Sequence, residues 1–136
     1  MQTGDLVLFR GTGFISWIVR RWTRSAFSHV GVLWIVDGMP LVLEATFTGV
    51  TCHALANRAI DGPNVFPTGR ALNLTSALIH LGDCYSYKDA IRAGMNENPV
   101  CSGWDCAEYA ADILGLDSHA KGWTPQRLAE TILLEQ

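Results

Sequence analysis

A cysteine at the start of a helix, a histidine at the start of a strand and a glutamate on the next strand could together carry out nucleophilic chemistry. The cysteine is Cys106, in the stretch Trp104-Asp105-Cys106-Ala107-Glu108-Tyr109-Ala110-Ala111-Asp112-Ile113-Leu114-Gly115. Asp105 can cap the first backbone N–H groups, and Glu108, three residues on, can complete a capping box. Ala107, Ala110, Ala111 and Leu114 are good helix formers whose spacing gives one tightly packed face. Gly115 suits a C-cap. Cys106 then meets the unpaired N–H groups and the positive end of the helix dipole, where an anion is favoured, and the thiolate is the nucleophilic form of cysteine. Most free cysteines are instead small buried hydrophobes. A reactive Cys106 therefore needs a cationic neighbour from elsewhere in the chain.

His29 is the best placed of the four histidines. A catalytic cysteine needs a base, and the base needs an orienting group. His29 opens the dense apolar run His29-Val30-Gly31-Val32-Leu33-Trp34-Ile35-Val36, beside a loop, where its ring could face a cleft. Glu44 lies in Leu41-Val42-Leu43-Glu44-Ala45, which the Asp37-Gly38 turn pairs with that run. Cross-strand neighbours come within side-chain reach directly or diagonally. A carboxylate in so apolar a strand needs a partner, and an imidazole next door supplies one. His53, His80 and His119 have no such setting. The competing reading makes Glu44 a solvated strand residue or a partner for Arg20 or Arg24.

The four cysteines, Cys52, Cys84, Cys101 and Cys106, could form two disulfides. No basic n-region and apolar h-region follow Met1-Gln2-Thr3-Gly4-Asp5, so a cytoplasmic location, or export by a route without a classical signal peptide, is expected, with the thiols reduced. His80-x3-Cys84 and Cys101-x4-Cys106 offer four zinc ligands, but the spacing is irregular and no CxxC occurs. No metal and no cofactor are expected.

A chain of 136 residues with 49% apolar and 17% charged residues reads as a single globular domain, residues 1–136. Its net charge of −3 lacks a basic nucleic-acid footprint, although Arg20, Arg21 and Arg24 cluster locally. No apolar run is long enough to span a bilayer.

Several elements must position the three residues. Gly4 to Arg10 reads as a strand, followed by a Gly11-Thr12-Gly13 turn. Phe14 to Arg24 reads as an amphipathic helix that is either a core helix or a contact for membranes or anionic ligands. The strands His29 to Val36, Leu41 to Ala45 and Val50 to Leu55 follow. Asn57 to Arg70, rich in Gly, Pro and Asn, reads as a long loop with a short strand at Asn64 to Phe66. Thr75 to Leu81 and Tyr87 to Ala93 read as short helices, and Met95 to Gly103 as a loop leading to the cysteine helix. Thr124-Pro125 opens a last helix whose apolar face is Leu128, Ala129, Ile132 and Leu133. The order implies an α+β fold, with a small antiparallel sheet or half-barrel packed on helices.

These residues resemble a known family. Thr23-Arg24-Ser25-x-x-Ser28-His29-Val30-Gly31, then Leu43-Glu44-Ala45 leading to Gly49-Val50, then Asp105-Cys106-Ala107-Glu108-Tyr109 look like the circularly permuted papain-like hydrolases related to NlpC-type cell-wall peptidases. Gly4-Asp5-Leu6-Val7-Leu8-Phe9, Tyr85-Ser86-Tyr87 and Thr124-Pro125 also match. The likeness covers most of the chain apart from Asn57 to Arg70. In that family the histidine and its polar partner precede the cysteine, the order found here. The resemblance implies a permuted papain-like fold, with His29 as base, Glu44 as orienter and Cys106 as nucleophile. Ala107 stands where the family usually has serine after its cysteine. Cys101-Ser102 is the alternative match, but Gly103-Trp104 would break a helix begun at Cys101.

The implied chemistry is acyl transfer through a thioester to Cys106, with the Cys106 N–H as one oxyanion donor and Tyr85 or Tyr87 as candidates for a second. The substrates implied are a small peptide, a peptidoglycan fragment or a related amide. A lipid-directed acyltransferase or thioesterase, similar to the lecithin–retinol acyltransferase-like group and using the Phe14 to Arg24 helix at a membrane, is the alternative. A non-catalytic binding module is the third reading, and the intact Cys106, His29 and Glu44 argue against it.

Overall fold

Alternation along the strands decides which residues face each side of the sheet. In the computed structural model, which describes residues 1–10, 27–46, 48–61, 63–83, 104–118 and 122–136, five strands form one antiparallel sheet. They are β1 (Leu6–Phe9), β2 (His29–Val36), β3 (Met39–Thr46), β4 (Gly49–Ala54) and β5 (Asn64–Phe66), in the order β4-β3-β2-β1-β5. Three α-helices, α1 (Leu74–Ile79), α2 (Cys106–Ile113) and α3 (Pro125–Leu134), complete an α+β architecture among the described residues. Residues 14–24 and 87–93, read from sequence as helices, lie outside the described residues, as do Cys84, Cys101, Tyr85, Tyr87 and His119.

The β2–β3 hairpin has the geometry its turn residues require. Asp37 and Gly38 both have positive φ, 48° and 79°, as a two-residue turn matched to strand twist demands. The register pairs Val32 with Leu43 and Leu33 with Val42. Continued toward the strand end, it sets Gly31 opposite Glu44 and leaves His29 diagonal to it. Gly31 is glycine for a packing reason. A Cβ there would stand 2.5 Å from Val42 Cγ1 and 3.3 Å from Glu44 Cβ.

One face of the sheet packs on the helices. Leu6, Leu8, Val30, Val32, Leu43 and Ala45 join Cys106, Tyr109, Ile113, Leu128 and Ile132 in the main core. Each fully buried Leu, Ile or Val side chain among them stabilises the fold by about 1.5–3 kcal/mol. The other face carries a smaller cluster, Val7, Phe9, Leu33 and Val42, against which Ile35 and Leu55 pack. Leu55 begins a 3₁₀ helix, Leu55–Asp61, in a stretch whose Gly, Pro and Asn content reads as a loop from Asn57 onward. It runs directly on from β4, so the chain folds back over the second face.

The helix ends are made as their residues dictate. The Asp105 side chain accepts a hydrogen bond from the Glu108 N–H at 2.8 Å, which places Cys106 at the first helical position. At the other end Gly115 has φ 71°, the Gly115 N–H donates to the Asp112 carbonyl and the Leu116 N–H to the Ala111 carbonyl. That is a Schellman motif, which satisfies carbonyls the helix would otherwise leave orphaned. Thr124 caps α3 through the Arg127 N–H at 3.1 Å, with Pro125 next. Among the described residues no helix is long and apolar enough to cross a membrane.

Candidate active site

Cys106, His29 and Glu44 converge. His29 Nε2 lies 2.5 Å from Glu44 Oε2, and Cys106 is near enough to the His29 ring to favour its protonated form. Nε2 is committed to the carboxylate. The three meet although strand alternation puts His29 and Glu44 on the face of Phe9 and Val42, while Cys106 belongs to the helix-side core. The meeting works because His29 is the first residue of β2, at the rim of the sheet. Phe9 is the direct cross-strand partner of His29, and its ring centroid lies 5.4 Å from that of the imidazole.

The electrostatics fit a charged imidazole. Burial alone opposes protonation of His29, yet hydrogen bonds to Cys106 and Glu44, together with their negative charges, outweigh it and push His29 up to about 9. Burial likewise opposes ionisation of Glu44. The hydrogen bond and charge of His29, the Arg58 charge and a hydrogen bond with His53 overcome it and hold the carboxyl below the ordinary carboxylate range. The Glu44 side chain is fully buried, while that of His29 is 18% exposed, so one end of the pair is dry and the other reaches solvent.

Two partners of Glu44 escape the sequence reading. His53 Nδ1 lies 3.3 Å from Glu44 Oε1, so His53 shares the carboxylate partner that the sequence assigns to His29 alone. Arg58 Nε lies 3.0 Å from Oε1, and its Nη2 donates to Oε2 at 3.3 Å. The signal for His53 was present. Glu44 pairs with Thr51, and His53, two residues on, shares that face. Arg58 sits in a segment with no periodicity to place it. Arg20 and Arg24, the alternative partners of Glu44, lie outside the described residues.

Of the four zinc ligands read from sequence, Cys84 and Cys101 lie outside the described residues. His80 Nδ1 is 2.8 Å from Asp83 Oδ2, which also accepts from the Trp104 indole N–H at 3.1 Å. Glu44 contacts both His29 and His53. Among the described residues no group of three or more His, Cys, Asp or Glu side chains is arranged to hold a metal ion.

Cys52 gives an internal contrast. Burial pushes its thiol up, and the Glu44 charge adds to the effect. Cys106, with an imidazolium beside it and a helix start beneath it, should therefore be carboxamidomethylated by iodoacetamide at neutral pH well before Cys52, Cys84 or Cys101. Mass-spectrometric mapping reads the order directly. Labelling of Cys101 first would move the nucleophile there.

No family model matches the chain, and no curated protein matches it. A solved structure does. The crystal structure described as metalloprotein yiiX from Escherichia coli O157:H7 is 21% identical, with a TM-score of 0.64 over 85% of this chain and 67% of that one. At that identity the likeness concerns the fold alone: the chain shares its α+β architecture with the yiiX protein.

Proposed function

We propose that this chain is a cysteine hydrolase with a circularly permuted papain-like fold, acting on an amide through an acyl-enzyme, with a small peptide or peptidoglycan fragment as substrate. The observation that carries the reading is the convergence of Cys106, His29 and Glu44, with His29 hydrogen-bonded to the buried glutamate and the cysteine at a helix N-terminus. Three features support it together. The thiol has a base, the base has an ionised orienting group, and the orienting group is itself held by Arg58 and His53.

The steps follow from the atoms. His29, as the imidazolium, holds the proton that the Cys106 thiol gives up, and the thiolate attacks the substrate carbonyl carbon. The Cys106 backbone N–H, at a helix start where no helical carbonyl can accept it, is directed at the developing oxyanion. The tetrahedral adduct collapses as His29 returns its proton to the amine, which leaves. His29 then takes a proton from water, whose oxygen attacks the thioester. The acid departs and the thiol is restored. Throughout, Glu44 keeps Nε2–H engaged and stabilises the imidazolium.

The test is a panel of peptide amides, acyl esters and acyl thioesters, followed by intact mass. An amide substrate should leave an acyl adduct on Cys106 after rapid quench. Turnover of thioesters or lipid esters with no amide cleavage would shift the assignment to the acyltransferase or thioesterase reading. An adduct on another residue, or none, would remove the nucleophile.

A further inference from the structure

We propose that Arg58 is the positioning residue of Glu44: its guanidinium spans both carboxylate oxygens, holds them toward His29 Nε2 and offsets their charge so that the imidazolium can still surrender its proton. The proposal rests on the triad reading above.

The geometry favours Arg58 over the other contact of Glu44. Arg58 reaches Oε1 and Oε2, whereas His53 reaches Oε1 only. The His53 side chain is 44% exposed and its Nδ1 is also 3.2 Å from Thr51 Oγ1, so its hold is shared. The Arg58 side chain is more enclosed, and its guanidinium carbon lies 5.0 Å from the centroid of the Phe9 ring, the ring that also packs on His29. Planar guanidinium on an aromatic face with two carboxylate oxygens in reach is an arrangement lysine cannot copy. Phe9 thus fixes the imidazole and the guanidinium together, and Glu44 joins them.

The chemical need is specific. A buried carboxylate with no cation besides His29 would bind the imidazolium proton tightly, and an acid that cannot release its proton protonates a leaving group poorly. A second cation shares the negative charge. The described groups around this pair are Cys106 from α2, Phe9 from β1, Thr51 and His53 from β4, and Arg58 from the 3₁₀ helix, with Cys52 on the opposite face of β4 within range of the Glu44 charge.

Proton NMR of the His29 ring, followed against pH in the full chain, reads the effect. Arg58→Gln removes a cation, so the His29 midpoint should move up by roughly half a pH unit, the Coulomb effect of one nearby charge at a water-like dielectric. Arg58→Lys should bring the midpoint back toward that of the unaltered protein while leaving the ring less fixed. A merely structural Arg58 moves thermal stability and leaves the midpoint where it was, and that result would overturn the proposal. If Arg58→Gln fails to fold, the unaltered protein still decides. The Arg58 Nε resonance should shift through the His29 transition, and an Nε signal indifferent to that transition would also overturn it. Cys106→Ala separates the two readings. A His29 midpoint that ignores Cys106→Ala removes the triad and the proposal with it. A midpoint that responds to Cys106→Ala and not to Arg58→Gln removes the role of Arg58 alone.

Discussion

In the proposed hydrolase, Cys106→Ala and His29→Ala should each lower turnover by about 10⁴-fold or more, and the double variant should be no slower than either single one. The lack of additivity is the informative part. The thiol without its base is a poor nucleophile, and the base without a thiol has no proton to move, so removing one removes the work of both. Two residues that acted separately would multiply their losses. Stability should change little by comparison. His29 lies at the strand end with its side chain partly exposed, and Glu44 keeps Arg58 and His53 when the imidazole is gone. Steady-state rates and thermal unfolding of the three variants, measured side by side, check the pattern. A double variant slower than both singles by the product of their effects would dissolve the catalytic unit.

Glu44→Ala should unfold the chain more readily than any change at Cys106 or His29. Its side chain is 0% exposed and faces His29, His53 and Arg58. Breaking such a buried cluster by deleting one partner costs about 3–5 kcal/mol, because the charges left behind lose their compensation. Glu44→Gln is the gentler variant and separates stability from chemistry. It keeps the shape and an oxygen acceptor but loses the charge. The His29 midpoint should then fall below about 9, since its second negative neighbour is gone, and alkylation of Cys106 at neutral pH should slow. The pH dependence has a definite sign. The Glu44 carboxyl is held below the ordinary carboxylate range in the fold, so its contribution to stability is present above that range and is lost as pH falls through the folded value. Acid unfolding should therefore be less steep in Glu44→Gln. A variant with an unshifted His29 midpoint and an unchanged rate of Cys106 alkylation would take Glu44 out of the site.

The parts of the site that follow local rules are legible in the sequence. Asp105 and Glu108 announce the helix start, and the capping bond is there. Asp37-Gly38 announces the hairpin, and strand pairing then brings Glu44 within diagonal reach of His29. β5 at Asn64–Phe66 is readable as a short strand between turn residues. Arg58 is not legible, because what places it is tertiary. Its 3₁₀ segment carries no alternation and no helical stripe, and only the chain folding back from β4 over Phe9 brings it to Glu44. His53 falls between these cases. A register carried from Glu44 through Thr51 puts it on the right face, but an exposed histidine on an outer strand gives no reason to carry the register that far.

His29 stands at the rim of a sheet that keeps the charged cluster on one side and the thiol on the other. In the proposed enzyme this separates two kinds of adjustment that many active sites must make in the same space. Substitutions around Arg58 and His53 would retune the proton affinity of the imidazole from behind the sheet, without reshaping the surface that a substrate meets. Substitutions along the front, near the start of the cysteine helix, would alter what is admitted without disturbing the acid–base balance. Reactivity and selectivity could then drift independently, with the imidazole as the hinge pin between them.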